Sequence, residues 1–252
     1  MFIRILALIV SLFFGHVVPA VAAKAEKPRE GHYFTLNTAI GTSFEAYLVG
    51  PSGSTKSVLL LHDRWGLDKM TLDSADRFAA LGFLALAIDL FDGRRANIKS
   101  DEQAERLMSQ IDPEWSDSSI RSALSYLNKT PGRKTAILGW GYGGGRAMRA
   151  TIADRLMVIS TVIYYGPLEG EADELREIRG PILGIFANDD KWITPAKVDR
   201  FSFKMQSARS TFLVARVPGQ PGFVDPQRLS YNETEAERMW QRVLEFLNGT
   251  LE

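Results

Sequence analysis

The segment that most limits the fold is Ala136–Met148, AILGWGYGGGRAM. An apolar run, Ala136-Ile137-Leu138, enters a turn crowded with glycine, and a helix is expected from Gly144. Gly139 and Gly143 hold the outer positions of a G-x-nucleophile-x-G elbow, the tight strand-to-helix turn that lifts one side chain above a sheet. The central position is Gly141, which has no side chain to lift. The glycines still serve the backbone, since they permit a sharp turn and a close strand–helix approach. A glycine at the centre is expected to let the turn relax.

A strand–turn–helix unit needs neighbours, and the rest of the chain supplies them. YFTLN and SFEAYLV alternate like an antiparallel edge pair. SVLLLH, FLALAIDL, TAILGW, MVISTVIYYG, PILGIFA and TFLVARV are largely continuous apolar runs, as in strands buried on both faces. Helical patterns fall between them at residues 68–81, 100–110, 114–129, 144–155, 172–178, 195–207 and 232–248. This order predicts an α/β fold: a mostly parallel sheet of about eight strands with helices on both faces. Residues 24–252 read as one domain.

Residues 1–23 read as a signal peptide. Arg4 gives a positive start, Ile5–Phe14 is a short apolar centre, and Ala20, Ala22 and Ala23 offer a small-residue cleavage site. The run is short against the roughly 20 residues that span a bilayer. The mature protein is therefore expected in the periplasm or secreted, free of the membrane. The absence of cysteine excludes disulfides, thiol catalysis and thiolate zinc sites. Thirty basic residues balance thirty acidic ones, so nothing marks a nucleic-acid partner. No metal or cofactor is expected. GWGYGG matches G-x-G-x-x-G by letter, but it comes too late in the chain and no acid ends the next strand, so a dinucleotide site is not read from it.

Sites in such sheets form at the carboxyl ends of the strands. Three ends carry the candidates: His62–Leu67, Gly139–Gly145 and Ala187–Ile193. Each holds one of the five tryptophans, Trp65, Trp140 and Trp192, whose rings could wall a pocket or simply pack.

With these segments in order, the chain resembles the dienelactone hydrolase family of α/β-hydrolases. The likeness runs from about Tyr33 to Leu247 and rests on LLLHDRWGLDKMTLDSADRFAALGFLALAIDLF, ILGWGYGGGRAM, VIYYG, IFANDDKWITP and VPGQPGFVDP. The resemblance implies a triad of nucleophile, acid and histidine. The acid falls on Asp190, with Asp189 as competitor; the nucleophile falls on Gly141 and the histidine on Pro221, so two of three groups are missing. It also implies a backbone donor pair for an oxyanion at Tyr142 and Arg64, and an acidic group, Asp63, beside the nucleophile position. Arg94 and Arg95 stand where some members hold a substrate carboxylate, and Phe223 follows the histidine position. Of the three histidines, His16 lies in the leader, His32 precedes the first strand, and His62 reaches the pocket, as a structural residue or a substitute base.

Three functions remain open at this point. The first is a non-catalytic, exported binder of a small aromatic or acyl ligand with a negative end, or of a protein partner. The second is an active ester or lactone hydrolase with a displaced set built on Asp190, His62 and water. The third is an interaction domain that works through its surface. Were the mapping right, Gly141→Ser with Pro221→His would be expected to gain esterase activity.

Overall fold

The computed structural model describes residues 29–252; the leader expected over 1–23 lies outside them. Among the described residues the strands are β1 (His32–Asn37), β2 (Ser43–Val49), β3 (Lys56–Leu61), β4 (Leu84–Ile88), β5 (Lys134–Trp140), β6 (Ser160–Tyr164), β7 (Ile182–Ala187) and β8 (Phe212–Val217). They form one sheet in the order β1-β2-β4-β3-β5-β6-β7-β8. β1–β2 and β2–β4 are antiparallel, and every other pairing is parallel. Two antiparallel strands at one edge and six parallel strands behind them match the expectation from the sequence.

The helices are α1 (Lys69–Ala80), α2 (Asp101–Ser109), α3 (Pro113–Leu127), α4 (Tyr142–Ala153), α5 (Ala172–Arg176), α6 (Pro195–Ser207) and α7 (Glu233–Leu251). Polar caps set their starts. Asp68, Ser100, Asp112, Thr194 and Asn232 each accept a hydrogen bond from a first-turn N–H. α4 differs, because it starts at Tyr142 rather than Gly144 and has no side-chain cap. Glycine's low helix propensity argues for the later start, but tertiary packing overrides it here.

Alternate residues of the buried strands feed opposite layers. Val58 and Leu60 of β3 meet α1 and α7 through Phe78, Trp240 and Val243. Leu59 and Leu61 meet α2, α3 and α4 through Leu107, Leu124 and Ala147. A third cluster joins Met148 of α4 to Phe201 of α6 over Ile163 and Phe186. Among the described residues no helix is long and apolar enough to cross a membrane.

The strand order places the site. After β3 the chain crosses to β4 on one side, then returns to lay β5 on the other, which opens a crevice above the β3–β5 pair. Leu61 of β3 pairs with Gly139 of β5. Asp63 and Gly141, each two residues further on, therefore leave the sheet side by side. α4 closes over them at a distance only glycine permits. A Cβ on Gly143 would fall 2.6 Å from the carbonyl carbon of Leu61, and one on Gly139 would fall 2.7 Å from Gly144 N. Gly143→Ala is expected to lower stability by about 3 kcal/mol or more, measured by urea unfolding, because the backbone of β3 cannot yield.

Candidate functional site

Gly141 sits at φ 46°, ψ −109°. The turn has not relaxed, contrary to the expectation for a glycine there; it keeps a backbone conformation that is costly for any residue with a side chain. Two hydrogen bonds hold it: Gly141 N–H donates to Tyr164 O at 2.9 Å, and Gly145 N–H donates to Gly141 O at 3.2 Å, opening α4.

The space above Gly141 is filled by Asp63. A Cβ on Gly141 would overlap Asp63 Oδ1 and fall 2.7 Å from its Cγ. Asp63 Oδ1 accepts hydrogen bonds from Arg64 N–H at 2.6 Å and from Tyr142 N–H at 3.2 Å. These are the two donors that the resemblance assigns to an oxyanion. The protein's own carboxylate thus occupies the pair, at the positive end of α4. Burial pushes the Asp63 carboxyl above the usual carboxylate range; the two N–H donors and the Arg64 charge pull it back, and Asp68 adds to the rise.

His62 is fully buried. Its Nδ1 lies 2.7 Å from Asp63 O, and Leu90 N–H donates to its Nε2 at 3.0 Å. A carbonyl only accepts, so the proton resides on Nδ1 and Nε2 carries the lone pair. Burial lowers its pKa, against the upward pull of Asp89, of the Asp63 carbonyl, and of Asp68 and Asp63. The ring ties the ends of β3 and β4 together. Among the described residues nothing hydrogen-bonds it to Asp190. Asp190 Oδ1 instead accepts from Trp192 N–H at 2.7 Å and Ile193 N–H at 2.9 Å, bracing the turn after β7.

The histidine-position loop lies beside that turn, because Asn188 N–H donates to Val217 O and Asp189 N–H to Gly219 O. Pro221 is held by Ser230, whose hydroxyl donates to its carbonyl at 2.8 Å. The turn that carries Asp190 and the loop that carries Pro221 therefore run side by side at Asn188–Asp189 and Val217–Gly219.

The other candidates divide. Trp65 is buried and its ring carries two guanidinium groups, Arg64 at 4.8 Å and Arg228 at 4.6 Å from its centre. Tyr142 lies against Phe91 and His62. Phe223 is buried and meets Tyr164 and Tyr165. Trp140 turns down into the core and stacks on Tyr164, with 3 % exposure, while Trp192 is 73 % exposed. The three tryptophans do not form one wall. Arg94 and Arg95 are exposed, and Arg94 bonds Phe91 O and Gln110. Arg64 also pairs with Asp101.

Three residues of the site were not among the candidates: Asp68, Tyr165 and Asp225. Tyr165 follows β6 at φ 40° and is buried, with no partner for its hydroxyl. Asp68 caps α1 with Oδ1, and its buried Oδ2 has no partner. Asp225 is buried in the loop after Phe223. All three lie in segments already quoted, LLLHDRWGLDKMTLDSADRFAALGFLALAIDLF, VIYYG and VPGQPGFVDP, but their burial follows only from the fold.

The dienelactone hydrolase family profile matches residues 44–251. A Saccharolobus solfataricus relative named "Putative carboxymethylenebutenolidase" is 24% identical over 244 residues, covering 82% of this chain and 94% of its own. An Escherichia coli relative of the same name is 25% identical over 233 residues, covering 84% and 85%. Among solved structures, a dienelactone hydrolase-like promiscuous phosphotriesterase from metagenomic libraries superposes with a TM-score of 0.75 at 18% identity, covering 87% of this chain and 98% of the other. Sheet order, elbow backbone and profile agree: the chain belongs to the dienelactone hydrolase family, on an α/β-hydrolase fold.

Proposed function

We propose that this protein is a non-catalytic member of its family, exported by the N-terminal leader, that binds a small molecule in the cleft above the elbow. One observation carries the reading: the Asp63 carboxylate fills both the oxyanion donor pair and the space a nucleophile would need. Gly141 offers no nucleophile and Pro221 no base. His62 has both ring nitrogens engaged by backbone. Triad members act as a unit, and loss of one can cost about 10⁶ in rate. The remainder, roughly 10³–10⁴ over water, comes from binding and the oxyanion donors, and Asp63 already holds those donors. The same occupancy leaves an anionic ligand no free donor at the elbow, so the negative end expected from the family's substrates finds no seat there.

The purified protein is expected to give no turnover above background with p-nitrophenyl butyrate or a dienelactone. The names of the relatives favour the second reading, a hydrolase with a displaced catalytic set. Turnover that disappears in Asp190→Ala would overturn the proposal in favour of that reading.

A further inference from the structure

The third core cluster reaches the surface between the loop after β6 and helix α6. A groove of about 540 Å³ opens there, with Pro167–Glu171 as one wall and α6 as the other. Its apolar lining continues the core: Phe201 is buried, and Leu168 and Ile193 pack half-buried against the same cluster. Lys197, Arg200, Phe201 and Lys204 recur at i, i+3, i+4 and i+7, so one face of α6 brings all four to the groove.

The loop wall is held on both sides. Pro167 lies against α4, where a Cβ on Gly145 would fall 3.1 Å from its Cδ. Lys204 Nζ donates to Gly170 O and stands 3.6 Å from a Glu171 carboxylate oxygen.

The charges in the groove do not cancel. Glu171 is met by Lys204, and Glu169 by Arg149 at 3.8 Å, a residue outside the lining. Lys197 Nζ donates to Trp192 O at 2.7 Å and meets no carboxylate among the described residues. Arg200 is exposed, with neither a hydrogen bond nor an ion pair among them. An ammonium that donates once keeps two donors, and a guanidinium carries five.

Exposed cations alone select little, because water and salt screen them. These two flank apolar surface in a recess within the roughly 300–1,000 Å³ that holds small ligands. A bare anion would leave the apolar lining unused, and a plain hydrocarbon would leave Arg200 without a partner. A guanidinium takes a carboxylate through two parallel hydrogen bonds.

We propose that this groove binds an organic carboxylate with an apolar body. Arg200 pairs with the carboxylate, Lys197 supports it, and Leu168, Ile193 and Phe201 cover the hydrocarbon. The site is separate from the elbow, since its lining includes none of Gly141, Asp63 and Tyr142. It gives a negative ligand end the seat that Asp63 denies it at the elbow, and it stands whether or not the elbow is catalytic.

Titration calorimetry at neutral pH with octanoate and 1-naphthoate, against octanol and octylammonium, tests it. At least one carboxylate is expected to bind saturably, at least about tenfold more tightly than either control. Arg200→Gln is expected to weaken it about tenfold or more, and Lys197→Gln by less. Circular dichroism confirms folding, and either variant alone suffices if the other fails to fold. Saturable binding by neither carboxylate overturns the inference, as does a control that binds as tightly. So does carboxylate affinity unchanged in the folded variants, or lost in Arg95→Gln instead, which would seat the ligand where the family resemblance puts it. Esterase turnover by the wild-type protein would defeat the non-catalytic reading and leave the carboxylate isotherm standing, so the two failures are distinguishable.

Discussion

Gly141→Ser combined with Pro221→His is expected to remain without esterase activity, and addition of Asp63→Ala is expected to raise turnover by about 10²-fold or more. The family resemblance alone predicts gain of function in the double variant; the structure says why it is not enough. A serine Cβ at 141 collides with Asp63 Oδ1, so the carboxylate must leave or the turn must distort. If it stays, the two N–H donors remain occupied and an oxyanion has nowhere to form. Each such donor is worth about 10²–10³ in rate. Serine also pays for the left-handed backbone, about 1–3 kcal/mol, which a thermal melt of the double variant would register. The assay is p-nitrophenyl butyrate hydrolysis with a burst measurement for the acyl-enzyme. A double variant as active as the triple would mean that Asp63 leaves the donors freely. A folded but inert triple would mean that residues 141 and 221 do not face each other.

His62→Ala is expected to cost at least about 3 kcal/mol at pH 7.5. Removal of the ring orphans two backbone groups, Leu90 N–H and Asp63 O, at about 1–3 kcal/mol each, and leaves a cavity besides. The loss should depend on pH in a defined direction. Burial holds the folded-state pKa of His62 below the ordinary value near 6.5. Its stabilisation is therefore full above about pH 6.5 and declines as pH falls from there toward the lowered value, where the unfolded chain binds the extra proton. Asp63 and Asp225 act with the opposite sign: their folded-state values are raised, so stability is regained as pH falls through them toward about 3.9. Those carboxylates are present in both proteins, so the difference between wild type and variant isolates the histidine. Urea unfolding from pH 8 down to 5 should show the two stabilities converging below about 6.5. Curves that stay parallel would show that His62 titrates normally.

The sheet was legible because both-face burial writes itself into a strand as an unbroken apolar run. β5, β6 and β7 are buried along nearly their whole length, and all three were read as strands. The start of α4 was set two residues late because Tyr142 and Gly143 read as part of the elbow turn, whereas both are helical and Gly143 is small for packing against Leu61. Gly141 and Pro221, at the positions where the resemblance expects a nucleophile and a histidine, could be read as letters in their motifs. The seat of Asp63 could not, because it depends on strand register and on a side chain folding back over a neighbour without a Cβ. Tyr165 stood in a quoted motif, yet its buried, unpartnered hydroxyl follows from a left-handed backbone at φ 40° that no periodicity encodes. Trp192 shows the reverse limit: loop position placed it near the crevice, and the turn braced by Asp190 leaves it in solvent.

The unrelaxed turn at Gly141 bears on how such chains are sorted. Its φ of 46° and ψ of −109° trace an elbow as sharply as one bearing a hydroxyl would. Superposition of main chains therefore places this molecule on the dienelactone hydrolase fold and does not read the side chain at the centre of the turn. The discriminating signal is a few ångströms of side chain: what projects from the centre of the turn, and whose oxygen already rests on the amides beneath it.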